Sequence, residues 1–340
     1  MATGAALEVI TPGASVGVGS LPHRDAQAAV EFTIANFDVP VVPRLPRRSG
    51  SESLVAQAMV GAAGITLGQY GTVAVDVDRL DPDAAVVTGL HTENFGGFRA
   101  FVEHAPHLLQ EGRAFKWQFV GPVTLGGALV RAGAPRSLAF EVAERTVAAH
   151  VSALGALLAS ALPGHPQLII LDEPWLADLM SSDFPLAPDA AADLVSSAMA
   201  AAQPYGTVGL HCCYDADWPP LLEAGPQVLS LPASPRVANV AGYLERFLDG
   251  GGWIAWGAVS TDGPVGVTAS RAWGALTDMW CDLVKRGIDP DLLRDRSMIS
   301  PRRGLASYPP VVAADICRTL RDVGRRVRDA ACATKLMLST

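Results

Sequence analysis

Short apolar runs alternate with helix-period segments along this chain, and each run ends in a polar or Gly/Pro cluster. The runs are Val16–Ser20, Val39–Pro43, Phe115–Pro122, Leu168–Pro174, Thr207–Cys213, Val228–Leu231, Trp253–Val259 and Ser297–Ser300. Helical periodicity fills most of the intervals, at about 25–36, 141–162, 187–203, 236–249, 269–286 and 312–330. Strand–helix alternation repeated this often predicts an α/β fold of the (βα)8 TIM-barrel class. A doubly wound open sheet also alternates, but it does not require eight runs.

A length of 340 residues suits one barrel domain covering 1–340 with an insertion. The insertion falls at about 51–112, between the second and third runs. It has too few apolar residues for a core of its own and is expected to hold one or two helices and a small hairpin around 71–78. The first dozen residues are rich in Ala, Gly and Thr and read as loose. A net charge of −8 argues against a nucleic-acid or membrane-surface binder, either of which would show a basic stripe. The apolar helix at 141–162 is interrupted by Glu141, Glu144, Arg145 and His150, so it reads as a packing helix, not a span. The five cysteines, odd in number and unevenly spaced with no signal peptide before them, suggest a reducing cytoplasm.

In a barrel of this class, chemistry gathers at the C-terminal ends of the strands. Those ends carry Ser20, Gln118, Asp172 with Glu173, His211 with Cys213, and Ser260 with Thr261; Arg302 and Arg303 follow the last run. Some of these polar groups are also explicable as helix caps. His211 and Cys213 are two apart, so on a strand they share a face, and imidazole with thiolate is a favoured zinc pair. A catalytic zinc needs a third protein ligand, and Cys212, Asp215 and Asp217 are the nearest candidates. Arg44, Arg47 and Arg48 follow the second run and, with Arg302 and Arg303, are expected to make a positive mouth suited to carboxylate or phosphate. Solvated surface pairing with local Asp and Glu is the alternative. His23, after the first run, is a candidate acid/base or pocket residue. Trp117, Trp175, Trp218 and Trp256 lie near strand ends, where they either pack or stack on a flat ligand.

Six motifs then fall in one order: Gly19-Ser20-Leu21-Pro22, Gly121-Pro122-Val123-Thr124, Asp172-Glu173-Pro174, His211-x-Cys213, Trp256-Gly257 and Ser300-Pro301-x-x-Gly304-Leu305. In this the chain resembles the C-terminal catalytic barrel of cobalamin-independent methionine synthase, in the superfamily that includes uroporphyrinogen decarboxylase. The resemblance spans roughly 15–310. It implies methyl transfer from a methylated folate, or another methyl donor, to a thiolate held on zinc. It further implies that His211 and Cys213 are metal ligands, that Ser20 touches the amino-acid part of the substrate and that Asp172 binds its amino group. The family's remaining two ligands, an acidic residue and a cysteine, fall at Pro232 and Arg303, neither of which binds zinc.

The expectation is therefore a methyltransferase-like enzyme on a small thiol or amino-acid-like substrate, with Asp172, His211 and Cys213 at its centre. Ser20, His23, Arg44, Glu173, Arg302 and Arg303 are the expected substrate contacts. The alternatives are a metal-free decarboxylase-like enzyme on an anionic substrate, or a non-catalytic ligand-binding barrel with a degenerate zinc site. No glycine-rich nucleotide fingerprint stands in a strand–turn–helix context.

Overall fold

The structure, a computed structural model, describes residues 5–68, 72–261 and 268–329. Its strands are β1 (Ala14–Ser15), β2 (Ile65–Leu67), β3 (Val73–Val75), β4 (Phe115–Val120), β5 (Gln167–Asp172), β6 (Thr207–His211), β7 (Val228–Pro232), β8 (Trp253–Val259) and β9 (Ser297–Pro301). Seven of these form one curled parallel sheet in the order β1-β9-β8-β7-β6-β5-β4, so neighbours in space are mostly neighbours in sequence.

Residues 39–44 form no regular strand. Pro40 and Pro43 remove two amide donors from this stretch, which leaves single bridges where a ladder would stand. Those bridges reach both edges of the sheet: Val16 with Val39 and Ser20 with Arg44 on one side, Val41 with Lys116 on the other.

Period-2 alternation sorts the strand residues into two apolar clusters. One face contributes Val16, Val39, Val41, Leu168, Ile170, Val228, Ala255 and Met298 to a small inner core. The other face contributes Trp117, Phe119, Ile169, Leu171, Leu210, Leu229, Leu231 and Ile254 to a large core shared with the helices. Residues 5–9 are not loose, and residues 1–4 lie outside the described residues. Ala5–Val9 is a helix that packs near β5 and β6, with the Ala6 amide donating to Thr207 Oγ1 at 3.3 Å, and it covers the inner core from the N-terminal ends of the strands.

The helices begin where the sequence supplies caps. The Asp25 side chain accepts from the Ala28 amide at 2.7 Å ahead of Ala26–Asn36, and Pro122 and Pro310 open their helices. Helix Arg136–Ala161 is long and apolar enough to cross a membrane by length and composition, and it lays Phe140, Val147, Val151 and Leu154 into the protein interior.

Segment 51–112 carries helices Leu54–Ala58 and Gly96–Leu108 and one hairpin, β2 with β3, registered Ile65 to Val75. The hairpin lies N-terminal to the expected 71–78. Its strands are the Ile-Thr-Leu and Val-Ala-Val triplets, and Val77–Arg79 turns as a 3-10 helix instead; residues 69–71 lie outside the described residues. The segment docks by inserting Phe95, Phe98 and Phe101 into the large core beside Phe115 and Trp117, and by a fully buried Glu52 that accepts from the Gly97 amide and pairs with Arg48.

Candidate active site

The inward face of β5 reads Leu168, Ile170, Asp172: two apolar residues, then a carboxylate at the C-terminal end. In register beside Asp172 stands His211 on β6, and beside His211 stands Ser230 on β7. Three polar side chains thus lie side by side on consecutive strands, just above the inner core. The sequence makes this layer by placing a polar residue at the last inward position of β5 and of β6, and at the inward position of β7 in register with them.

The imidazole of His211 is 4% exposed. Its Nδ1 shares a 2.8 Å hydrogen bond with Ser230 Oγ, and its Nε2 lies 3.7 Å from Asp172 Oδ1. Burial pushes its pKa below the ordinary value. Asp172 pulls the other way, while Lys116 and Arg44 add to the lowering, so the neutral ring is the state at neutral pH.

Asp172 Oδ2 accepts from Gln118 Nε2 at 3.3 Å and lies 3.7 Å from Arg44 Nη2. The Arg44 guanidinium also donates from Nε and Nη2 to Ser20 Oγ, at 3.0 and 2.7 Å. Burial lowers the Arg44 pKa against the pull of Asp172, but a guanidinium stays charged. Gly19 makes room for this group of residues: its φ is +140°, and a Cβ there would lie 2.6 Å from the Gln118 carboxamide.

Below this layer lies Lys116, 5% exposed on the inward face of β4. Its Nζ donates to Gly17 O at 2.9 Å, Val18 O at 2.7 Å and Gln118 Oε1 at 2.8 Å. Burial lowers its pKa to about 7, opposed by Asp172 and reinforced by Arg44. Sequence reasoning passed over Lys116 and Ser230. The available signal was a lysine two residues before Gln118 in an otherwise apolar strand, which puts both on one face. Ser300, inward on β9 above Met298, is 2% exposed, and its Oγ has no hydrogen-bond partner.

The other expected site residues are placed differently. Glu173 follows Asp172 and so turns to the opposite face, where it is fully buried. Its carboxylate accepts from the Val123 and Thr124 amides at 2.8 and 2.7 Å, capping helix Pro122–Arg131, and burial raises its pKa to about 7. A Cβ on Gly121 would lie 2.2 Å from that carboxylate, which explains the glycine ahead of Pro122. Arg47 donates to the carbonyls of Ala306 and Ser307, and Arg48 pairs with Glu52 and Glu93. These two arginines tie loops together; Arg44 is the member of its cluster that enters the polar layer. Arg302 donates to the Cys213 carbonyl at 3.2 Å, and the Arg303 guanidinium lies 4.3 Å over the Tyr214 ring. His23 is half-buried with its ring 4.7 Å from that of Phe32, and burial lowers its pKa against Asp25.

β6 ends at His211, so the two-residue spacing to Cys213 does not run along a strand: Cys213 sits in a bend. Cys212 turns into the large core with its Sγ 3.9 Å from Pro174 O, and burial raises its pKa far above the ordinary thiol value. Asp215 lies 3.9 Å from Arg236, and Asp217 precedes helix Trp218–Glu223. Among the described residues no three His, Cys, Asp or Glu side chains come together as a metal site. Pro232 ends β7 and Arg303 is stacked on Tyr214, so the donors present do not fit a zinc ion. Cys212 and Cys317 are free thiols, and Cys332 lies outside the described residues.

Of the four tryptophans near strand ends, Trp117 and Trp256 are buried and bonded to Gln167 and Ser297, and Trp218 is buried. Trp175 lines a cavity of about 470 Å³ with Thr124, Arg131, Asp178, Tyr214 and Asp215, formed by the segments that follow β4, β5 and β6. A second cavity of similar volume, between Phe140 and Leu194 on the helical shell, is remote from these residues.

No protein-family model and no curated protein matches the chain. Among solved structures, it is similar to the crystal structure of a candidate vitamin-B12-independent methionine synthase from Listeria monocytogenes. The TM-score is 0.57 at 13% identity, with 89% of this chain and 85% of that one covered. The likeness shows the fold. It gives this chain an α/β architecture like that of the Listeria protein and leaves its chemistry to the residues themselves.

Proposed function

We propose that the chain is a small-molecule enzyme of the (βα)8 class in which residues 39–44 supply the closing strand and the mouth holds the active site. The substrate is amino-acid-like and carries a carboxylate. The supporting observation is the juxtaposition of Arg44, Asp172 and neutral His211 in one buried layer. Arg44, steadied by Ser20, meets the substrate carboxylate through its planar fork, and Asp172 takes the ammonium group.

The reaction is methyl transfer without a zinc ion. His211 Nε2 accepts the proton of the substrate thiol or amine as that atom bonds to the methyl carbon. The bond from the methyl carbon to its donor breaks, and its electron pair stays with the donor, a methylated folate or another methyl carrier. Neutrality of the ring is what this role requires. A test is incubation with a methyl-labelled donor and a thiol amino acid: label moves to the acceptor in wild type and not in His211→Ala. Absence of transfer with every donor tried would overturn the reading.

A second reading rests on a separate observation. Two buried cations, Arg44 and Lys116, face one buried carboxylate, Asp172, which favours an anion. On that reading the enzyme is a metal-free, decarboxylase-like protein, and carbon dioxide release from a di- or tricarboxylate replaces methyl transfer in the same assay.

A further inference from the structure

Lys116 ties together segments that lie far apart in the chain. It belongs to β4, one edge of the seven-stranded sheet, and its ammonium reaches past residues 39–44 to the carbonyls of Gly17 and Val18, which continue from the other edge strand. Its third proton goes to Gln118 Oε1 at 2.8 Å, and Gln118 Nε2 in turn donates to Asp172 Oδ2 at 3.3 Å. The chemistry permits one orientation of that amide. An ammonium only donates and a carboxylate only accepts, so oxygen must face Lys116 and nitrogen must face Asp172. A flipped amide would set two donors against each other at one end and two acceptors at the other.

We infer that Lys116 is a positioning residue of the site, acting through Gln118 to fix which oxygen of Asp172 serves which partner. Oδ2 is held by Gln118 on the side of Arg44, and Oδ1 is left to face His211. Removing the ammonium leaves the amide anchored only at Asp172, so its oxygen end loosens and the donor to Asp172 is held less firmly. The inference does not depend on the reaction proposed above. The charged and titratable groups facing Lys116 are Arg44 from the 39–44 segment, Asp172 from β5 and His211 from β6.

Side-chain hydrogen exchange, read by NMR on protein with labelled glutamine and tryptophan, tests it. Trp117 is the control, since it sits between Lys116 and Gln118 on the same strand but faces outward, its Nε1–H bonded to Gln167 Oε1 at 2.7 Å. In Lys116→Met the Gln118 amide protons should exchange about tenfold faster or more relative to the Trp117 indole proton. An unchanged ratio overturns the inference, because the lysine then only holds the strands together or does nothing to the amide. Should the variant fail to fold, wild type supplies the same test. Raising pH from about 6 to about 9 takes the proton off a lysine that titrates near 7, and the Gln118-to-Trp117 ratio should rise across that range. A ratio flat over the range overturns it equally.

Discussion

Asp172 and His211 are partners in register on adjacent parallel strands, with Asp172 Oδ1 3.7 Å from His211 Nε2 and both side chains buried. The pair owes its geometry to two strands that each place a polar residue at their last inward position, and its electrostatics to the cations Arg44 and Lys116 around it. Asp172 raises the His211 pKa and burial lowers it. Asp172→Asn therefore drives the His211 pKa lower still, and it leaves Arg44 buried beside an uncharged amide. NMR titration of the imidazole should show the downward shift. Chemical denaturation should show a loss of about 1–3 kcal/mol. A rise in the His211 pKa would contradict this assignment of charges.

Glu173 provides a stability test set apart from the chemistry. Its pKa rises from an ordinary 4.5 to about 7 in the folded protein, so the native state holds the proton more tightly than the unfolded chain does. Its contribution is complete below about pH 4.5 and is lost as pH climbs through 7. Glu173→Gln should flatten that part of the stability profile, by up to about 2–3 kcal/mol between the two ends. Urea denaturation of both proteins across the range reads the difference, and parallel profiles would remove Glu173 as the cause.

His150 makes the opposite prediction in acid. It is fully buried between the rings of Phe95 and Phe119, at 6.0 and 5.2 Å, with Nδ1 2.9 Å from Thr146 O. Burial lowers its pKa, so its contribution is complete above about 6.5 and is lost as pH falls through the folded value. Phe95 belongs to segment 51–112, and protonation should loosen that segment first. Limited proteolysis below pH 6 ought to cut within 51–112, and His150→Phe should delay the cut to lower pH. First cleavage elsewhere would contradict the coupling.

Much of this was readable from the chain. The apolar runs reappear as the sheet strands from β4 to β9, since buried parallel strands leave a continuous hydrophobic signature. Residues 39–44 read as a strand from Val-Pro-Val-Val-Pro, but prolines at 40 and 43 reduce the ladder to bridges. Asp172, His211, Ser20 and Arg44 stand out in the sequence as polar residues at strand ends, and the structure brings these four together. Glu173 was grouped with them because adjacency in sequence conceals that neighbours on a strand face opposite ways. Its true partners, the amides of Val123 and Thr124, lie about fifty residues away. Lys116 was missed because its spacing from Gln118, the one local sign, does not reveal that two of its acceptors, the Gly17 and Val18 carbonyls, lie nearly a hundred residues earlier. The arginine clusters misled for a related reason: Arg47 and Arg48 look like a charged mouth until their carbonyl and carboxylate partners are known.

The zinc site implied by the motif resemblance leads to an engineering test. Pro232→Glu and Arg303→Cys would add a carboxylate and a thiol at two further strand ends to the His211 and Cys213 already present. The double variant should retain stoichiometric zinc after dialysis, whereas wild type should retain little. Little zinc in both proteins would mean that the four positions do not converge, and stoichiometric zinc in both would mean that wild type already holds zinc through other residues.

The central claim is that Arg44 receives a substrate carboxylate inside the polar layer. Thermal-shift titration with a panel of small amino acids and dicarboxylates tests it most directly, comparing wild type with Arg44→Met and with Arg47→Ala as a control for loop charge. The account predicts that a ligand which stabilises wild type also stabilises Arg47→Ala and fails to stabilise Arg44→Met. Stabilisation that survives intact in Arg44→Met would contradict it.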